Sequence, residues 1–160
     1  MKKVYQTIID AGHGNCMQAA IASLFDLELE EVPNFKEEES WFGSMYKFVR
    51  ERGYDFDGTL YNRKNGLWNG TLLKGYEDRF EKIKDMEGIN GYFYAVVYSP
   101  KYHLLVEHPK DSVTHAVVID KDFNIIHDPN PEYQGLEKYP YADEIGYNGI
   151  VDIFMINPKE

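Results

Sequence analysis

The chain has 160 residues and 18.7 kDa, 43% of them hydrophobic and 15% aromatic. At this size roughly 70% of the unfolded chain's surface is hidden on folding, so the composition supports one domain with a real core and excludes a disordered tail. Seventeen basic against 27 acidic side chains leave a net charge of −10 and a pI near 4.9, a field that repels phosphate backbones and argues against a nucleic-acid partner.

No run approaches 18 apolar residues, so no transmembrane helix and no membrane partner are expected. The opening Met1 to Asp10 carries two lysines, but its apolar run is too short and too polar for a signal peptide. Cys16 is the lone cysteine, which forbids an intramolecular disulfide and fits a reducing, cytoplasmic compartment. No repeat, low-complexity block or linker divides the chain, so residues 1–160 are expected to form a single domain.

In chain order, Asn15 stands at the N-cap position of a helix over Cys16–Leu24 that is apolar nearly all round, the mark of a central helix. An acidic stretch from Glu28 to Val32 follows, closed by Pro33. A second helix starts at a Ser40 cap, carries Trp41, Met45, Phe48, Val49 and Arg52 along its stripe, and stops at Gly53. Residues 54–91 are broken by glycines and read as irregular, with a short helix around Tyr76 to Met86. Strands are expected at Tyr92–Tyr98, His103–Glu107, Thr114–Asp120, Phe123–Asp128 and Ile150–Ile156. Helices first and strands second make an α+β fold with an antiparallel sheet.

The short polar link at Asp120-Lys121-Asp122-Phe123 joins two of these strands as a hairpin. A turn centred between Lys121 and Asp122 pairs apolar with apolar, Val117 against Ile126 and Val118 against Ile125, and sets His115 opposite Asp128. A turn centred one residue later sets Asn130 there instead, and a three-residue turn sets Pro129 there. Either polar neighbour would hold the imidazole in one tautomer. A half-buried strand histidine beside an acid is also a common structural pair.

Cys16 follows Gly14-Asn15 at the first turn of the central helix, where free N–H groups and the positive end of the helix dipole favour thiolate over thiol and suit an oxyanion. Away from such a setting a single cysteine is usually a small buried hydrophobe. A helix-start cysteine, a strand histidine about a hundred residues later and a carboxylate or amide after it are the parts of a Cys-His-Asp/Asn triad.

Two blocks, Gly14-Asn15-Cys16-Met17-Gln18-Ala19-Ala20-Ile21-Ala22-Ser23-Leu24 followed by Glu30-Glu31-Val32-Pro33-Asn34-Phe35, and Thr114-His115-Ala116-Val117-Val118 followed by Ile126-His127-Asp128-Pro129-Asn130-Pro131, cover about a third of the chain. They resemble small papain-like proteins of bacteria and their phages, close in layout to the C39-type cysteine peptidases. The resemblance implies a papain-like fold and a cysteine hydrolase of peptide or amide bonds working through a thioester, with no cofactor. Its nucleophile would be Cys16, its general base and acid His115, and its orienter Asp128. The family also places an oxyanion-binding glutamine upstream of the cysteine. Gln6 is the upstream candidate, ten residues before Cys16 where six is usual, with Asn15 or backbone N–H groups as substitutes. No peptide-export or ATPase module accompanies the two blocks.

Other readings follow from the same residues. His13-x-x-Cys16 has ligand-like spacing, and His103, His108, His115 and His127 could complete a zinc set, but the second half lacks a tight Cys/His pair. A papain-like fold can also bind without turning its ligand over. Transglutaminases, deamidases and acyltransferases run on the same triad, the acceptor that reaches the acyl-enzyme being what separates them. The aromatic residues Trp41, Trp68, Tyr92 and Tyr94 are candidates for cleft walls or, individually, for core.

Overall fold

The computed structural model describes residues 1–9, 14–56, 67–68, 71–72, 79–100 and 114–159. Among the described residues its helices are α1 (Cys16–Leu24), α2 (Trp41–Glu51), the short α3 (Ala142–Ile145) and a helical segment at 79–82. Its strands are β1 (Tyr54–Phe56), β2 (Leu67–Trp68), β3 (Thr71–Leu72), β4 (Phe93–Tyr98), β5 (Thr114–Ile119), β6 (Ile125–His127), β7 (Ile150–Ile153) and β8 (Ile156–Pro158). The architecture is mixed helix and antiparallel sheet.

Local chemistry sets the ends of α2. The Ser40 hydroxyl accepts from the Gly43 N–H at 3.2 Å, and Gly53 takes φ +89°, open to glycine without strain. The start of α1 is different. Asn15 occupies the N-cap position but its side chain does not cap the helix. Its Oδ1 accepts from the N–H groups of Thr7 and Ile8, and its Nδ2 donates to Thr7 Oγ1 and Gln18 Oε1. The residue therefore ties the N-terminal segment to α1 and leaves the first turn without a side-chain cap.

The main sheet runs β6-β5-β4-β7, every pair antiparallel. β4 and β5 align from Phe93 opposite Ile119 to Tyr98 opposite Thr114. Alternation along these strands feeds two cores. Tyr94, Ala116 and Val118 join Ala19, Ala20, Ile21, Phe35, Met45 and Val49 beneath α1 and α2. Phe93, Ala95, Val97, Val117 and Ile119 face Phe80, Ile83, Ile150 and Ile153 on the other side.

Several expectations need correction. Ile150–Ile156 is not one strand: β7 ends at Ile153, and Ile156 begins β8, which pairs with β1. Phe154 turns its ring onto Tyr94, centroids 4.3 Å apart and stacked, while its N–H donates to the Tyr94 carbonyl. The irregular stretch holds the β2–β3 pairing, and its helix runs over 79–82 and then Ile83–Asp85 as a 3-10 turn. The strand expected at His103–Glu107 lies outside the described residues, as do Tyr76 to Asp78.

The hairpin register also differs. Ile119 pairs with Ile125, and after a bulge Val118 pairs with His127, so neither Val118 with Ile125 nor Val117 with Ile126 is the ladder. The turn has three residues rather than two, with Asp120 N–H donating to the Asn124 carbonyl and Phe123 in the left-handed region at φ 63°. The Asp120 carboxylate decides this, accepting from the N–H groups of Asp122 and Asn124. The bulge then slides β6 by one more residue.

Candidate active site

α1 packs on β5, which brings Cys16, the first residue of the helix, to His115, the second residue of the strand. Asp128 comes one residue after β6, where the chain leaves the sheet. His115 and Asp128 are each 6% exposed, and His115 Nε2 lies 2.5 Å from Asp128 Oδ1. With Nε2 engaged there, Nδ1 is the ring nitrogen left for the thiol. Cys16 is half-buried, and the His115 ring and the Ala116 N–H are the groups that act on its thiol.

The electrostatics follow from these contacts. Burial pushes the Cys16 thiol up, but the hydrogen bond and positive charge of His115, with the Ala116 N–H, outweigh it and leave the thiol below its ordinary value. The Asp128 charge works against that lowering. Burial pulls His115 down, yet the bond to Asp128, the bond to Cys16 and both their charges raise it to about 10. The arrangement therefore favours a thiolate beside an imidazolium over a neutral thiol beside a neutral ring.

Asp128 is held on both oxygens. Oδ1 also accepts from the Asn130 N–H at 2.9 Å, and Oδ2 accepts from the Tyr139 hydroxyl at 2.6 Å. Asn130, the other candidate orienter, caps a 3-10 turn over Pro131–Tyr133 by accepting from the Glu132 N–H, so its oxygen is engaged there. Tyr133 stands edge-on to the His115 ring, centroids 5.5 Å apart. Gln134 Nε2 donates to the carbonyls of Asp128 and Asn130, fixing the loop. Neither Tyr139 nor Tyr133 was expected from the sequence; no spacing rule links a tyrosine eleven residues downstream to a carboxylate.

Gln6 is 7% exposed, and its backbone is joined to the segment just after Asp128. Its backbone N–H donates to the Pro129 carbonyl, and its Nε2 donates to the Ile8 carbonyl, which also accepts from the Asn15 N–H just before Cys16. Gln6 Oε1 is buried with no hydrogen-bond partner. One Nε2 hydrogen remains uncommitted, whereas both Asn15 Nδ2 hydrogens are spent on Thr7 and Gln18. Among the side-chain donors proposed for an oxyanion, Gln6 is thus the one with capacity left.

Among the described residues the one other histidine, His127, has different partners. His127 is buried, with Nε2 on the Val4 carbonyl and its ring edge-on to Tyr5, and burial holds it below its ordinary value. His13, His103 and His108 lie outside the described residues. Among the described residues no group of three or more histidine, cysteine, aspartate or glutamate side chains is placed to hold a metal ion. Of the aromatic candidates, Tyr94 is core, while Trp41 and Tyr92 are half-buried against that same cluster. Among the described residues no helix is long and apolar enough to cross a membrane. No family model, curated protein or solved structure matches the chain.

Proposed function

We propose that the protein is a cysteine-dependent hydrolase of a peptide or amide bond, built on a papain-like arrangement and working in the cytoplasm. The observation that carries this reading is the buried His115–Asp128 pair beside Cys16, whose thiol His115 holds below its ordinary value, with the sulfur at an uncapped helix start. Each group has a task in such a reaction. The Cys16 thiol gives its proton to His115 Nδ1, and the sulfur attacks the substrate carbonyl carbon while the π electrons move onto the oxygen. The first-turn N–H groups of α1 and the free Gln6 Nε2 hydrogen are the donors for that oxyanion.

Collapse of the tetrahedral adduct breaks the carbon–nitrogen bond, and the imidazolium returns its proton to the departing amine. A thioester is left on Cys16. Water then gives a proton to His115, its oxygen attacks the thioester, and the carboxylic acid leaves as the thiol is restored. Asp128 keeps Nε2–H engaged throughout, so Nδ1 faces the sulfur. Transfer to an amine acceptor would use the same thioester and differ only in what replaces water. The acidic surface fits a basic or polar substrate.

The test is the rate of Cys16 alkylation by iodoacetamide against pH, in the wild type and in His115→Ala. Fast alkylation persisting well below the ~8.5 of a free thiol, and lost in the variant, is the expected result. Slow alkylation with an ordinary or raised midpoint in both proteins would make Cys16 a structural residue and leave the fold as a binding module.

A further inference from the structure

The hydrolase reading assigns no task to Tyr139, yet its hydroxyl is the one donor held on the far oxygen of Asp128 among the described residues. The ring is not a loose loop tip. It packs against the core formed by Phe80, Ile83 and Ile150, and the chain passes so close to Gly149 that a Cβ there would sit 3.0 Å from Tyr139 Cβ and 3.0 Å from the Pro140 carbonyl. Gly149, at φ +86°, is therefore part of what seats the tyrosine.

The Asp128 carboxylate divides its charge among three donors: His115 Nε2 and the Asn130 N–H on Oδ1, and the Tyr139 hydroxyl on Oδ2. Every donor besides the imidazole draws charge away from it and also fixes the carboxylate plane. The groups facing His115 are Cys16 from α1, Asp128 after β6 and the Tyr133 ring; those facing Tyr139 are Asp128 and Tyr133. Burial and the Asp128 charge push the Tyr139 phenol far up, so it stays a donor throughout the range in which His115 works. A base held too tightly to its proton returns it slowly to a leaving group, so this division of charge bears on turnover.

We propose that Tyr139 is a positioning residue that acts through Asp128, fixing the carboxylate and limiting how strongly it holds the His115 imidazolium. This rests on the Cys16–His115–Asp128 reading above. Tyr139→Phe removes the hydroxyl and keeps the ring, and the readout is the His115 deprotonation midpoint from nitrogen-15 NMR of the ring in the full chain. The midpoint moves upward in the variant by about half a unit, about a threefold change in proton affinity. In an Asp128→Asn background the same substitution adds nothing further. In the unsubstituted chain, the carbon-13 resonance of Tyr139 Cζ follows the His115 titration, a readout that requires no variant.

An unchanged or lowered midpoint, an equal shift in the Asp128→Asn background, or a Tyr139 resonance indifferent to His115 would overturn the proposal. A tyrosine that merely packs would give those results. Failure of the underlying reading looks different: Cys16 alkylation would then be insensitive to His115→Ala. Alkylation lost in His115→Ala together with an unmoved midpoint in Tyr139→Phe would sink the tyrosine's role alone.

Discussion

Replacing Cys16 with alanine changes how folding stability depends on pH, because it removes one half of an internal proton exchange. In the unfolded chain near neutral pH the thiol keeps its proton and the imidazole has none, their ordinary values being 9.0 and 6.5. In the folded chain the thiol is lowered and His115 is raised to about 10, so the proton sits on the ring. Where pH lies above both 6.5 and the lowered value of the thiol, and below 9.0, both states carry one proton on the pair and its contribution to stability is flat. Alone, a raised histidine gives stability that is full below 6.5 and lost as pH rises through its folded value. A lowered cysteine does the reverse, its stability being full above 9.0 and lost as pH falls through its folded value.

In Cys16→Ala only the histidine remains, still raised by Asp128, the larger of its two hydrogen-bond partners. Above 6.5 the folded variant then holds one proton more than the unfolded one. Its stability falls by about 1.4 kcal/mol per pH unit until the imidazolium deprotonates, one proton's worth. Urea denaturation of both proteins in half-unit steps from about pH 6 to 9 measures this. Taking wild type minus variant cancels every other titrating group. A difference that widens with pH in the wild type's favour is expected, and parallel profiles would refute the transfer of a proton from Cys16 to His115.

Gln6→Ala leaves the Cys16 alkylation profile unchanged but slows turnover of an amide or ester substrate by about 100-fold, the usual loss for one oxyanion donor; equal rates would remove Gln6 from the site. Asp152, buried 2.6 Å from Arg79, is pushed up to about 6 by burial, which the guanidinium only partly offsets. A carboxyl raised in this way gives stability that is full below 3.8 and lost as pH rises through about 6, so wild type minus Asp152→Asn falls by about 3 kcal/mol between those limits in urea titrations. Arg79→Met leaves that carboxylate buried without its guanidinium and costs about 3 kcal/mol or more at neutral pH, read from the same denaturation curves. Gly88→Ala costs about 1–3 kcal/mol in thermal unfolding, because a Cβ at φ +63° would sit 2.6 Å from the Tyr92 carbonyl oxygen and 2.7 Å from Phe93 Cζ.

Features governed by neighbouring residues were legible in the sequence. The span of α1 follows from its run of helix formers, and the span of α2 from Ser40 at one end and Gly53 at the other. Asn15 shows where that legibility stops. Its position before the helix is a local matter, but its side chain was claimed by Thr7, Ile8 and Gln18, partners that no capping rule anticipates. The break between β7 and β8 is likewise a matter of distant partners, since Phe154 lies there against the rings of Tyr94, Trp41 and Phe56.

By itself the sequence determined the α+β class, the two N-terminal helices and the types and order of the residues that now meet: a cysteine at a helix start, a histidine on a strand, an aspartate after it. Those depend on propensity, capping and periodicity, which act over a few residues. Tertiary structure decided how these groups meet. The ladder that would have set Asp128 opposite His115 did not form, because Asp120 holds a three-residue turn and a bulge between Val118 and Ile119 shifts the register further. The Nε2–Oδ1 contact arises where the chain leaves the sheet and folds its carboxylate back, held there by the Asn130 N–H and the Tyr139 hydroxyl. Likewise the surroundings that lower the thiol and raise the imidazole exist only when α1 is packed on β5, since burial and charge proximity belong to the folded chain and to no segment of it.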